Sequence, residues 1–232
     1  MRKRRKQKKI NMNKCFQSYK DSCDKYKKED WLIDQVLYEL CSKNPGHNRR
    51  DVINAKVSII GRTYATGIER QILSDKKQQG SAMMKLQDCF YDYKEYIVPL
   101  LAPLKIISEP LNTDKLEKIV KIHGKLTQLI RKITRVSKKT REKLSPRSFV
   151  SKYMHFHCPA VPIFDNYAKT ALNRHDLMHE VKWFPKNTDD TDETYVEYVK
   201  RFWCLYQHLN SRIKNLSVKL VDYYLLESTR KT

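Results

Sequence analysis

The 232-residue chain carries 47 Lys and Arg against 26 Asp and Glu, a formal net charge of +21. This length fits one ordinary domain or two small ones. The cation excess points to a polyanionic partner, nucleic acid before a membrane surface, with a generally lysine-rich proteome as the bland alternative.

No stretch approaches the ~18 continuous apolar residues of a membrane span, so no membrane partner is expected. The basic N-terminus has no apolar run behind it and does not read as a secretory signal. The six cysteines are scattered without a CxxC pair. That fits reduced thiols in an intracellular protein and argues against an iron–sulfur or Cys-rich zinc site. His155 and His157, two residues apart on a helix, point to different faces and do not share a metal. No motif asks for a cofactor.

Residues 1–9, MRKRRKQKK, hold seven cations and no anion. Such a run cannot pack, and a basic, poorly ordered tail is expected over 1–28. The ordered part is expected to be one all-α domain over 29–232, acting as a monomer. Its first helix spans about 29–42, where Ile33, Val36, Leu37, Leu40 and Cys41 recur at helical spacing and Asn44-Pro45-Gly46 stops the run. A second helix is expected from Asp51, as N-cap, to about Ser74. A third is expected over 82–101, with Met83, Leu86, Phe90, Tyr93, Ile97 and Leu101 as its buried stripe. Thr113 or Asp114 caps the next, carrying Leu116, Ile119, Val120, Leu126 and Ile130. Two further helices close the chain, one with Tyr195, Val199, Phe202, Tyr206 and Leu209 and the other with Leu216, Leu220, Val221, Tyr224 and Leu225. No strand pattern is long enough to compete.

Between Arg131 and Arg147 the chain turns strongly basic. Lys138, Lys139, Arg141, Lys143, Arg147 and Ser148 are the candidate nucleic-acid contacts. The helix pair at 147–172 follows, RSFVSKYMHFHCPAVPIFDNYAKTAL. Ser148 reads as the N-cap of its first helix. Lys152 lies inside that helix among Phe149, Val150, Tyr153 and Met154, where desolvation disfavours an ammonium and produces an amine nucleophile. Asp165 opens the second helix beyond Pro159 and Pro162. There the backbone N–H groups favour an ionised carboxylate. Lys152 and Asp165 are the candidate catalytic pair. The competing reading makes Asp165 a plain N-cap and Lys152 a solvent-facing side chain.

Ser151-Lys152 and Pro162-Ile163-Phe164-Asp165 resemble the lysine and proline–aspartate positions of the helix-hairpin-helix DNA glycosylase superfamily, especially its 8-oxoguanine-glycosylase-like branch. The resemblance covers about a quarter of the chain. It implies an all-α fold, duplex DNA as partner, extrusion of a base and cleavage of its N-glycosidic bond. It further implies an aspartate that stabilises the oxocarbenium ion and a lysine that cleaves the strand through a Schiff base. The hairpin glycines of that family are missing from Lys143 to Ser148, which leaves Lys143, Arg147 and the Ser148 helix start to meet phosphate. A non-catalytic helical nucleic-acid-binding protein is the alternative from a different class.

Overall fold

In the computed structural model, residues 12–29, 31–64, 66–72, 79–133, 145–174 and 188–230 are described, and every regular element among them is helical. In chain order the helices are α1 (Met12–Glu29), α2 (Trp31–Lys43), α3 (Arg50–Ser58), α4 (Ile68–Ile72), α5 (Gln79–Asp92), α6 (Lys94–Leu101), α7 (Thr113–Ile133), α8 (Arg147–His157), α9 (Asn166–Arg174), α10 (Glu193–Asn210) and α11 (Val218–Arg230). A π-helical turn, Ile59–Thr63, extends α3, and a 3-10 turn, Ala102–Ile106, extends α6. None of the described helices is long and apolar enough to cross a membrane.

The helices pack around one hydrophobic core that runs from Tyr19 to Leu225. Its centre is α8, in which every residue from Phe149 to Phe156 is buried. A helix buried on all sides cannot show an amphipathic stripe, because each of its faces meets protein. α8 lies against α2, α7 and the π turn, while α11 is sandwiched between α1 and α9.

Several boundaries depart from the sequence expectations. The expected poorly ordered tail over 1–28 is a helix from Met12 onward, and only residues 1–11 of that segment lie outside the described residues. The cause is a narrow stripe of Tyr19, Cys23 and Tyr26 at helical spacing. Tyr19 meets Tyr224 with ring centroids 6.2 Å apart, and Tyr26 meets Tyr223 at 5.2 Å. Lys25 adds a 2.8 Å ion pair to Glu227, whose side chain is almost buried.

The helix expected from Asp51 to Ser74 is two helices. Arg49, not Asp51, occupies the N-cap position, and Asp51 pairs with the Arg49 side chain instead. The break between them includes Gly67, whose φ of 66° is the left-handed conformation that glycine adopts without strain. The helix expected over 82–101 divides at Tyr93, whose backbone leaves the helical region. Asn112, one residue before the expected caps, caps α7 by accepting from the Lys115 backbone N–H at 2.9 Å.

Candidate active site

α8 begins at Arg147 with Pro146 in the N-cap position, so Ser148 lies inside the first turn and not at the cap. Pro146 supplies a φ of −70° that suits a helix start, and its carbonyl accepts from Val150 N at 2.8 Å. One turn later Ser151 and Lys152 point across the hairpin. Ser151 Oγ accepts from the Phe164 backbone N–H at 2.9 Å, which ties α8 to the segment leading into α9.

The Lys152 side chain is only 6% exposed. Its Nζ lies 3.2 Å from Asp165 Oδ2, whose side chain is 20% exposed. Nζ also donates to the Tyr64 carbonyl at 2.9 Å. That carbonyl is free because the helix ends at the π turn and leaves its last C=O groups without internal partners. Lys152 is therefore buried rather than solvent-facing. Asp165 both caps α9, through Oδ1 and the Tyr167 N–H at 2.8 Å, and accepts from the lysine through Oδ2. The two readings of Asp165 are not exclusive, since its two oxygens do different work.

The hairpin turn is held by three consecutive carbonyls, each with a buried side-chain donor. His155 Nδ1 donates to Val161 O at 2.8 Å, Tyr195 OH to Pro162 O at 2.7 Å, and Tyr198 OH to Ile163 O at 2.5 Å. Burial lowers the His155 pKa to about 3. The ring is neutral near pH 7, with its proton on Nδ1 because Val161 O can only accept. Nε2 then accepts from Tyr38 OH at 2.6 Å. These contacts leave Asp165 little freedom to move relative to Lys152.

Asp165 opens onto a cleft of about 260 Å³ lined also by Thr66, Ser145, Arg147, Ser148, Phe164, Asn166 and Tyr167. Tyr167 stands at its rim, 68% exposed. A larger concavity of about 540 Å³ between α9 and α10 holds neither member of the pair. Chemistry, not size, selects the smaller one.

Of the expected nucleic-acid contacts, Lys138, Lys139, Arg141 and Lys143 lie outside the described residues. Ser148 lines the cleft, half-buried. Arg147 also lines it, but its guanidinium grips Asp192 through two hydrogen bonds, Nε to Oδ1 at 2.6 Å and Nη2 to Oδ2 at 2.9 Å. Burial works to raise the Asp192 carboxyl. The Arg147 hydrogen bonds and the nearby His123 outweigh it and hold the group below the usual carboxylate range. Asp192 in turn caps α10 by accepting from Tyr195 N at 2.9 Å. Arg147, expected to face phosphate, is thus turned inward, because a buried carboxylate is a stronger partner for a bidentate arginine than solvent is.

Behind the pair lies a second group of charges that sequence reasoning did not single out. Asp34 on α2 accepts from Tyr26 OH at 2.7 Å and from Tyr64 OH, and pairs with Lys219 Nζ at 3.0 Å. Lys219 sits within 6 Å of the Tyr26, Tyr64 and Phe156 rings, as a cation does over aromatic faces. Asp222, one turn further along α11, is buried, and among the described residues its Oδ1 has no hydrogen-bond donor. Among the described residues no group of His, Cys, Asp and Glu is placed to hold a metal ion. Comparison of the chain with protein-family models, with curated proteins and with solved structures finds no match.

Proposed function

We propose that the protein is a DNA glycosylase with a lysine nucleophile, acting on an extruded damaged or unusual base. The observation that carries this reading is the 3.2 Å contact between Lys152 Nζ and Asp165 Oδ2 beside a cleft that Asp165 lines. In the proposed step the Lys152 amine lone pair bonds to the sugar C1′ as the C1′–N bond breaks. Its electrons leave with the base, which takes up a proton. The Asp165 carboxylate stabilises the positive charge that develops on the sugar. Opening of the sugar then gives an imine, from which the strand is cleaved. Extrusion is needed because C1′ cannot be attacked inside an intact stack. Tyr167 offers the extruded base an aromatic face at the rim.

The test is borohydride trapping on duplexes bearing an abasic site or one of a panel of damaged bases. Wild type is expected to form a covalent adduct and Lys152→Gln none. Asp165→Asn is expected to slow base release by about a hundredfold or more while still trapping a preformed abasic aldehyde. Equal trapping by wild type and Lys152→Gln, or by neither, sinks the lyase role. One observation favours the alternative, a helical nucleic-acid-binding protein without catalysis: the Lys152 ammonium already has two oxygen acceptors and little exposure. That alternative expects strongly salt-dependent duplex binding with no base release.

A further inference from the structure

Tyr64 links the Lys152–Asp165 pair to the buried charges behind it. Its backbone carbonyl accepts from Lys152 Nζ at 2.9 Å, and its hydroxyl donates to Asp34 Oδ1. Asp34 is itself fixed. It is 2% exposed, and its Oδ2 accepts from Tyr26 OH at 2.7 Å and pairs with Lys219 Nζ at 3.0 Å. The Tyr64 ring packs on Phe156 of α8, with centroids 5.1 Å apart. Tyr64 is therefore pinned through its hydroxyl to α2 and through its ring to the helix that carries Lys152. A buried ion pair such as Asp34–Lys219 adds little net stability, but it gives the tyrosine hydroxyl a rigid acceptor.

The π turn ends at Tyr64, where φ is −91° and ψ is 16°. The helix stops there, and the Tyr64 carbonyl is left to point at Lys152 instead of bonding the next turn. Helix ends fray, so a carbonyl in this place holds its direction only if something fixes its residue. The Lys152 nitrogen is tetrahedral. Cε, the Tyr64 carbonyl and Asp165 Oδ2 take three of its directions. Loss of the remaining proton to water leaves the lone pair along the fourth. The other two N–H bonds stay on the two oxygens, so these oxygens set the line along which nitrogen meets C1′. A displacement of about 1 Å in a contact of this kind costs about a hundredfold in rate.

We propose that Tyr64 is a positioning residue for Lys152. Anchored to Asp34 by its hydroxyl, it aims the lysine nitrogen with its carbonyl. It forms no bond to the substrate and exchanges no proton with it. The inference rests on the glycosylase reading for its purpose, while the chain Asp34–Tyr64–Lys152 is a property of the free protein.

Two measurements on the full chain test it. Tyr64→Phe keeps the ring and removes the anchor. Single-turnover formation of the borohydride-trappable adduct on abasic-site DNA is expected to slow about tenfold or more, with affinity for the DNA unchanged. Tyr26→Phe is the control. It also takes a buried hydroxyl from Asp34 and should lower Tm comparably, yet its adduct rate should stay close to wild type, because Lys152 is held by Tyr64 and Asp165. Asp34→Asn, which still offers Tyr64 an oxygen, should keep most of the rate. A wild-type rate in Tyr64→Phe, or an equal loss in Tyr26→Phe, overturns the proposal. The second measurement needs no DNA. NMR of wild type is expected to show a coupling across the hydrogen bond between the Lys152 side-chain nitrogen and the Tyr64 carbonyl carbon. In Tyr64→Phe this coupling should weaken and the ammonium protons should exchange faster with water. Absence of the coupling in wild type overturns the proposal, even where Tyr64→Phe fails to fold. If wild type forms no adduct at all, the lyase reading falls, and the NMR result alone decides whether Tyr64 holds Lys152.

Discussion

At the scale of single residues, the chain keeps two buried lysines in opposite circumstances. Lys152 has a carboxylate partner. Lys56 on α3 is 0% exposed, and its Nζ donates to the Asn44 carbonyl at 2.5 Å, with no carboxylate paired to it among the described residues. Burial lowers the Lys56 pKa, opposed only by the Cys41 thiol. The native state therefore holds this proton less tightly than the unfolded chain does, and stability falls as pH drops below the ordinary lysine value near 10. Lys56→Met is expected to stabilise the protein by about 1 kcal/mol or more at pH 7, because the desolvated cation is removed at the expense of one carbonyl's partner. The gain should shrink as pH rises toward the ordinary lysine value, because burial makes the wild-type amine lose its proton more readily than in the unfolded chain. Thermal melts at pH 7 and pH 10 check both statements, and a destabilised variant at pH 7 would mean that the ammonium has a partner worth keeping. Nothing in the sequence shows that Lys56, like Lys152, is buried. Each sits among apolar neighbours in a helical run, and only the fold decides that the Lys56 ammonium meets a carbonyl and no carboxylate among the described residues.

At the scale of elements, the helices were legible wherever one face is apolar and the other wet. α2, α7, α10 and α11 all lie close to the periodicity that marks them. The Lys152–Asp165 hairpin was also legible, because both residues and both prolines lie within one short segment. What supports that hairpin was not. Tyr64 comes from the end of the π turn and Tyr195 and Tyr198 from α10, and their hydroxyls and carbonyls carry no pattern along the chain. α1 was missed because its stripe is tyrosine and cysteine instead of aliphatic. The contact between α7 and residues 188–192 was equally hidden. A Cβ on Gly124 would run into the Asp190 carbonyl and come within 2.6 Å of Thr191 Cα. The glycine thus lets the chain lie directly on α7 and seats Asp192 beside Arg147. Gly124→Ala should push this segment away and loosen the Arg147–Asp192 pair. We expect a loss of about 2 kcal/mol, or roughly 4–8 °C in Tm for a chain of this size. The bland expectation is the reverse, since alanine favours helix over glycine. A Tm that rises would show that Asp190 and Thr191 do not rest on Gly124.

At the scale of the whole molecule, burying so many ring nitrogens makes the fold sensitive to acid. Burial lowers His47 and His123 to about 4, His155 to about 3 and His157 well below its ordinary value. Each is neutral in the native state near pH 6, while the unfolded chain protonates them near pH 6.5. The unfolded chain therefore binds more protons between about pH 6.5 and pH 4, and stability is lost as pH falls through that window. Asp222 acts with the opposite sign. Its native value of about 7 means that the folded state takes up a proton first, so it gains stability as pH falls from about 7 to its ordinary value near 4. Glu109, which burial also raises, acts with the same sign as Asp222, and four histidines against Asp222 alone give an upper bound of about 4 kcal/mol per pH unit. Domains of this kind hold about 5–15 kcal/mol in total, so even a quarter of that slope should be plain in a melt. Tm followed by the helical circular dichroism signal is expected to fall steeply from pH 6.5 to pH 4.5 and to change little from pH 7 to pH 8.5. Asp192, held low by Arg147, extends the loss below pH 4, where its protonation breaks the pair and the α10 cap together. Replacing His155 by Gln, which can still donate to the Val161 carbonyl, should flatten part of the slope. A Tm independent of pH between 6.5 and 4.5 would mean that the histidines are solvated, and that the core around α8 is looser than these contacts require.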